Sequence, residues 1–297
     1  MGAELAGGRA LVLDGGLSNQ LADQGCDLSD PLWSARLLAD DPGQIEASHT
    51  AYIRAGAQVL ITASYQATYE GFARRGVGRA EASALLRRSV ELGRRAAAGR
   101  PGVRVAASVG PYGAMLADGS EYRGRYGKSV RELERFHRPR IETLAGAAPD
   151  VLALETVPDV DEAEAMLRAA EGTGVPVWLS YTIDGERTRA GDPLAEAFAL
   201  AAGRDEVIAV GVNCCDPADV DLAVPLAAGV TGKPVVVYPN SGERWDPDSR
   251  RWQGPRSFPP SHAKSWQSAG ARLIGGCCRV GPTTIAQLAT SLSDATP

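Results

Sequence analysis

"VIAVGVNCC", residues 207–215, is a run of Val, Ile and Ala that ends in Asn-Cys-Cys. It has no alternation of apolar and polar positions, which is how a parallel strand buried on both faces reads. Seven further runs share that character: "ALVLDGG" (10–16), "QVLITAS" (58–64), "VRVAASVG" (103–110), "DVLALET" (150–156), "PVWLSYT" (176–182), "PVVVYPN" (234–240) and "ARLIGGCC" (271–278). Between them lie segments with helical spacing. "DPGQIEASHTAYIRAGA" (41–57) carries Pro42 in its first turn, where a missing N–H costs least. "RAEASALLRRSVELGRRAAA" (79–98) is amphipathic, and "SVRELERFHRPRIETLAGA" (129–147) opens with the Ser129/Glu132 spacing of a capping box. Shorter helices are expected at 159–171, 193–202, 217–228, 259–268 and 282–292.

Eight strand signals alternating with helix signals predict an α/β fold, a single (β/α)8 TIM-type barrel with its active site at the C-terminal face. No Pro/Gly/Ser-rich linker divides the chain, so residues 1–297 read as one barrel domain. A doubly wound open sheet is the rival. Against it, the first strand leads into "DGGLSNQL", which is not a dinucleotide fingerprint, and no phosphate loop follows elsewhere. The longest irregular stretches, 110–128 and 239–258, each follow a strand and so belong to the catalytic face.

The composition is that of an ordinary soluble protein, with 44% hydrophobic and 23% charged residues. A net charge of −5 without a basic cluster argues against nucleic acid as a partner. The N-terminal "MGAELAGGRALVLDGG" lacks the pattern of a signal peptide, and no run has the length of a membrane span. A cytoplasmic location is expected, where thiols stay reduced. The five cysteines, Cys26, Cys214, Cys215, Cys277 and Cys278, then read as metal ligands or catalytic groups rather than a disulfide framework. Cys26, standing alone, reads as a small buried hydrophobe.

The polar residues that end the strands form a pattern. They are Asp14, Thr62 and Ser64, Glu155 and Thr156, Asn213 with Cys214 and Cys215, and Cys277 with Cys278. In a barrel these converge on one mouth. Adjacent residues of a regular strand point to opposite sides, so Cys277 and Cys278 can reach one ion only if the backbone leaves the strand there. Gly275 and Gly276 are read as supplying that freedom. Cys214 or Cys215 would be the third ligand of a zinc site, and a fourth position would stay open. Three thiolates blunt the Lewis acidity that hydrolysis needs and suit activation of an incoming thiol for attack on an alkyl group. His49, His137 and His262 fall outside the strand ends and read as structural. Asp14 and Glu155 either hold a substrate ammonium or hydrogen-bond the barrel rim.

"DGGLSNQL", "GCDLSDPLWSARLL", "ITASYQAT", "SVGPYGAMLADGSEYRG", "FHRPR", "GVNCC", "VVYPNSGE" and "GARLIGGCCR" together resemble the zinc-dependent homocysteine S-methyltransferase family over about residues 10–290. The resemblance is to the single-barrel bacterial and plant branch that uses S-methylmethionine. It implies Zn2+ held by Cys214, Cys277 and Cys278, with the homocysteine sulfur at the fourth position. It implies that Glu155 and Asp14 hold the amino acid end of homocysteine, that Thr62 and Ser64 line the same pocket, and that Asn213 orients the site. Trp33 of "DPLW" is the candidate for the donor side, since an aromatic face attracts a sulfonium, and could equally pack under the first loop. Cys215 departs from the family pattern and is a bystander, an alternative ligand or an oxidation liability.

The expected activity is methyl transfer from a sulfonium donor, S-methylmethionine before S-adenosylmethionine, to L-homocysteine, giving methionine. The alternatives are a betaine donor, another thiol or selenol acceptor, and a non-catalytic zinc- or thiol-binding barrel. Betaine users carry a C-terminal extension, which the short tail after "GGCCR" argues against. The partners expected are small molecules only, without nucleic acid or membrane, and the protein is a monomer or a small homo-oligomer.

Overall fold

The computed structural model describes residues 1–246 and 251–293. Eight strands form one sheet: β1 (Leu11–Val12), β2 (Val59–Ile61), β3 (Arg104–Val109), β4 (Val151–Val157), β5 (Val177–Tyr181), β6 (Val207–Asn213), β7 (Val235–Tyr238) and β8 (Ala271–Ile274). Every pairing is parallel and the order is β1-β8-β7-β6-β5-β4-β3-β2. A parallel bridge between Leu13 and Val59 brings the two ends together, with Gln58 N–H donating to Val12 at 2.7 Å and Asp14 N–H to Val59 at 3.0 Å. The fold is the expected (β/α)8 barrel.

A helix follows each strand or its loop: Pro42–Arg54, Arg79–Ala96, Val130–Ala145, Val160–Ala170, Leu194–Ala199, Pro217–Thr231, Ala263–Ala269 and Pro282–Ser293. Ser129 does form a capping box: its hydroxyl accepts Glu132 N–H, and the Glu132 carboxylate accepts Ser129 N–H at 2.9 Å. Strand residues alternate between two apolar layers. Val12, Leu60, Leu152, Leu154, Val210 and Ile274 face the helices. Leu13, Val59, Ala153, Trp178, Ala209, Val236 and Leu273 fill the barrel interior. Both faces are dry, so the sequence runs carry no polar alternation.

Sequence reading assigned nothing to residues 2–6, which form a short helix, Gly2–Ala6. Leu5 joins the barrel interior and is buried, and Glu4 pairs with Arg104 at 2.7 Å. At the opposite end, the stretch 110–128 contains a helical turn, Tyr112–Leu116, and a 3-10 turn, Ser120–Tyr122. The stretch 239–258 contains a hairpin, Arg244–Asp246 with Arg251–Gln253, and its residues 247–250 lie outside the described residues. Among the described residues no helix is long and apolar enough to cross a membrane.

The expectation for Gly275 and Gly276 needs correcting. Neither takes a positive φ. Both are required for space: a Cβ at Gly275 would stand 2.5 Å from Leu13 Cβ and 2.8 Å from Asp14 O, and one at Gly276 would stand 2.1 Å from Val280 Cγ1. Gly275→Ala is therefore expected to lower stability by about 1–3 kcal/mol, read as a fall in Tm. Gly229→Ala, in a helix with nothing within 4 Å, should raise stability by up to about 1 kcal/mol. Equal Tm values for the two variants would refute this account of the β8 glycines.

Candidate active site

The Sγ atoms of Cys214, Cys277 and Cys278 all lie within 4.8 Å of one another. Cys214 ends β6 by taking a left-handed backbone, φ 50°, which turns its side chain into the mouth. Cys215 then points the other way, fully buried in the layer between sheet and helices. It is a core residue and stands outside the three-sulfur cluster. Cys26 also packs against that outer layer.

The chain just past β7 holds both cysteine segments. Tyr238 O accepts Cys214 N–H at 3.1 Å and Pro239 O accepts Cys277 N–H at 2.8 Å. Asn240 N–H donates to Cys215 O at 2.9 Å, while Asn240 Oδ1 accepts Cys278 N–H at 3.1 Å. Asn240 stands in "PVVVYPN" and "VVYPNSGE" without a role assigned from sequence. The signal was there, in an Asn at a strand end between two cysteine strands.

Does this cluster suit a metal? Zn–S bonds of about 2.3 Å at tetrahedral angles put sulfurs about 3.8 Å apart. Cys214 Sγ and Cys278 Sγ are 3.7 Å apart. Hydrogen bonds from the Cys277 and Cys278 thiols hold Cys214 well below the ordinary thiol range, and Tyr122 O–H, 3.2 Å from its sulfur, adds to this. The same contacts push Cys277 and Cys278 up, because those two hold the protons. A divalent cation would take the place of those protons, so donor set and spacing both fit a soft, four-coordinate metal with one position open.

Glu155 and Asp14 stand at the same end of the barrel. Ser108 O–H donates to Glu155 Oε1, and Tyr238 O–H donates to Oε2 at 2.9 Å. Burial raises the Glu155 carboxyl to about 7 against the pull of these two donors. Asp14 Oδ2 accepts Ile61 N–H at 2.9 Å, and its buried Oδ1 has no partner. Burial pushes Asp14 well above the usual carboxylate range, and the Glu155 charge pushes the same way. Thr62 and Ser64 sit one step behind: their hydroxyls are 2.7 Å apart, Ser64 donates to Ser108 O and Thr62 accepts Ser108 N–H. They fix Ser108, and through it Glu155.

Asn213 couples the two halves. Its Oδ1 accepts Thr156 N–H at 2.7 Å and Ser180 O–H at 2.8 Å, and its Nδ2 donates to Thr156 Oγ1 at 2.7 Å. These bonds hold Thr156 at φ 59°, an unusual conformation for a β-branched residue. Trp33 lies on the loop after β1, partly buried and also left-handed at φ 49°. No hydrogen bond joins it to the sulfur cluster or to the carboxylates among the described residues.

Sequence reading missed Tyr122, Glu121 and Tyr65 at the mouth. It also left the "FHRPR" motif without a role. Arg140 donates to Gly110 O and to His137 Nδ1, so the His137 Nε2–H faces Glu162 Oε1 at 2.9 Å. Glu162 accepts Tyr112 N–H at 2.5 Å, and Asp159 accepts Arg125 N–H at 2.9 Å. This buried network grips the loop 110–128 at both ends, and the middle of the loop brings Tyr122 to Cys214.

A family model for homocysteine S-methyltransferase matches residues 11–292. The chain belongs to the homocysteine S-methyltransferase family. A homocysteine S-methyltransferase of Escherichia coli (strain K12) is 47% identical over 292 residues, covering 94% of each chain. Homocysteine S-methyltransferase 4 of Zea mays is 45% identical, covering 98% of this chain and 91% of its own. A crystal structure of the Escherichia coli homocysteine methyltransferase MmuM in its metallated form superimposes with a TM-score of 0.85 at 44% identity, covering 95% of this chain and 96% of that one.

The Asn240 clamp generates a test. Asn240→Ala should leave the fold intact and weaken metal binding about 10- to 100-fold, measured by competition with a chromogenic chelator. Unchanged affinity would show that the cysteine segments need no clamp.

Proposed function

We propose that this chain is a Zn2+-dependent enzyme that methylates the sulfur of L-homocysteine to give methionine, with S-methylmethionine as preferred donor and S-adenosylmethionine as a second. Acceptor and reaction class come from family membership. The observation that carries the metal is the all-sulfur cluster of Cys214, Cys277 and Cys278, whose 3.7 Å contact fits a tetrahedral zinc site. Zinc, when bound, supplies a soft Lewis acid that lowers the pKa of an incoming thiol at the one remaining position.

The residues of the chain do the rest. Asp14 Oδ1 and the Glu155 carboxylate take the ammonium group of homocysteine, which directs its sulfur to the cysteines. Asn213 fixes that anchor relative to Cys214. Thr62 and Ser64 keep Ser108 aimed at Glu155. Trp33 offers its ring to the sulfonium of the donor. The thiol proton goes to solvent. A lone pair on the homocysteine sulfur forms the new S–C bond as the donor S–C bond breaks, its electrons passing to the leaving sulfur. The leaving group is a neutral thioether, so no general acid is needed. His49 and His137 are correspondingly buried in helices, and His262 sits beside Asp221 on an exposed face.

In this reading residues 1–297 make one homocysteine-binding domain. It works in the cytoplasm on small molecules, without nucleic acid or membrane, as a monomer or small homo-oligomer.

A donor panel tests the proposal. Zinc-loaded protein with homocysteine should form methionine fastest from S-methylmethionine, more slowly from S-adenosylmethionine and not from betaine. No methionine from any donor, in protein shown to hold zinc, would overturn it.

The Glu155 anchor predicts a pH dependence. Its carboxyl lies near 7 in the free enzyme, so the charged form that binds an ammonium is lost as pH falls through 7. kcat/KM for homocysteine should fall about tenfold per pH unit below that point. Glu155→Gln should lower kcat/KM throughout while zinc is retained, leaving only the titration of Asp14 in the acid limb. Stability should run oppositely: a carboxyl raised from 4.5 to about 7 makes the folded state lose stability as pH rises through that window. A flat kcat/KM profile in the wild type would remove Glu155 from the anchor.

A further inference from the structure

Two buried carboxylate oxygens at the mouth have no hydrogen-bond partner: Asp14 Oδ1 and Glu121 Oε2. The first already has an assigned ligand, the ammonium of homocysteine. The second does not. Glu121 lies in the 3-10 turn Ser120–Tyr122 of the loop that follows β3, and only 8% of it is exposed. No Lys, Arg or His comes within ion-pair distance of it among the described residues, although the Arg123 charge, two residues on, is felt at its carboxyl. The next residue, Tyr122, places its hydroxyl 3.2 Å from Cys214 Sγ. The buried Oε2 of Glu121 therefore lies on the same short turn that carries Tyr122 to the sulfur cluster, and the Cys214 charge is felt at its carboxyl. It is not one of the groups within ligand reach of the sulfurs.

A buried carboxylate with an unpaired oxygen is costly unless something positive meets it. Gly113 allows the approach, since a Cβ there would stand 2.4 Å from Glu121 N. The loop itself is gripped by Arg140, Glu162 and Asp159, so the carboxylate is held in place rather than free to turn to solvent. The reaction brings together two amino acids, each with one α-ammonium. Asp14 and Glu155, at strand ends, serve the acceptor. Glu121, on the loop, is left for the donor.

We propose that Glu121 binds the α-ammonium of the methyl donor and makes the site select amino-acid sulfoniums over cationic donors that lack an amine. The inference rests on the sulfonium donor proposed above. Its role is to bind the ammonium and not the sulfonium. A carboxylate against the sulfonium would stabilise the charge that methyl transfer removes, and so would slow the step.

The test uses zinc-loaded enzyme, S-methylmethionine as substrate and dimethylsulfoniopropionate, which has no amine, as competitor. Glu121→Gln should raise KM for S-methylmethionine about 10- to 100-fold, the weight of a charged hydrogen bond. The inhibition constant of dimethylsulfoniopropionate, KM for homocysteine and zinc content should stay unchanged. Glu121→Asp should fall between. S-methylmethionine should also raise Tm of the wild type without homocysteine, and this shift should be lost in Glu121→Gln. Parallel changes for both sulfoniums, a raised KM for homocysteine, or an unchanged KM for S-methylmethionine would each overturn the assignment. If the wild type neither turns over nor binds S-methylmethionine, the donor reading itself fails; that result is separate from any effect of the variants.

Discussion

Three sulfur atoms carried by the ends of two different strands come within 4.8 Å of one another, and much of the mouth is arranged around that cluster. β6 and β8 are not neighbours; β7 lies between them. The continuation of β7 through Ser241 therefore acts as the jig. On one side Tyr238 O and Asn240 N–H hold the backbone of Cys214 and Cys215; on the other, Pro239 O, Asn240 Oδ1 and Ser241 N–H hold Cys277 and Cys278. A left-handed non-Gly residue costs about 1–3 kcal/mol unless its surroundings over-determine it. Cys214 is so determined, because the residues on both sides of it are hydrogen-bonded into the barrel.

The same logic recurs at β4. Thr156 is left-handed next to Glu155, and Asn213 holds it with two hydrogen bonds. Asn213 immediately precedes Cys214. One dipeptide therefore ties down Thr156, the neighbour of Glu155, with its first residue and places a sulfur of the three-cysteine cluster with its second. The spacing between the Glu155 segment and the sulfur cluster is thus tied through a single peptide unit rather than through two loops. This is the kind of rigid placement that lets binding energy serve orientation.

Much of this was legible in the sequence because parallel strands in a barrel must be apolar on both faces and must end at one rim. The continuous runs at 103–110, 150–156 and 207–215 became β3, β4 and β6, and the polar residues at their ends met at the mouth. The three-sulfur cluster followed from the same topology. What could not be read was conformation that depends on distant atoms. Gly275 and Gly276 looked like hinges and are spacers, because the atoms that crowd them belong to Leu13, Asp14 and Val280. Cys215 resembled a ligand by adjacency; the left-handed turn at Cys214 sends it into the outer core instead. Glu121 and Tyr122 sat in a stretch without periodicity, and the loop that carries them is held by partners distant in sequence, among them the Arg140–His137–Glu162 network and Asp159.

Charge decides what such a site can take. Three thiolates around a divalent cation carry a net charge of −1, and a bound homocysteine thiolate would make it −2. Asp14, Glu155 and Glu121 add carboxylates nearby, all buried and all raised in pKa because water is scarce there. Attraction between charges grows as water is excluded. A mouth with this set of side chains disfavours anions and favours cations. With the sulfonium donor proposed above, methyl transfer would neutralise thiolate and sulfonium together and leave an uncharged thioether sulfur on each product. The attraction between the two sulfur centres would thereby be consumed by the reaction, while the ammonium groups would stay matched to their carboxylates.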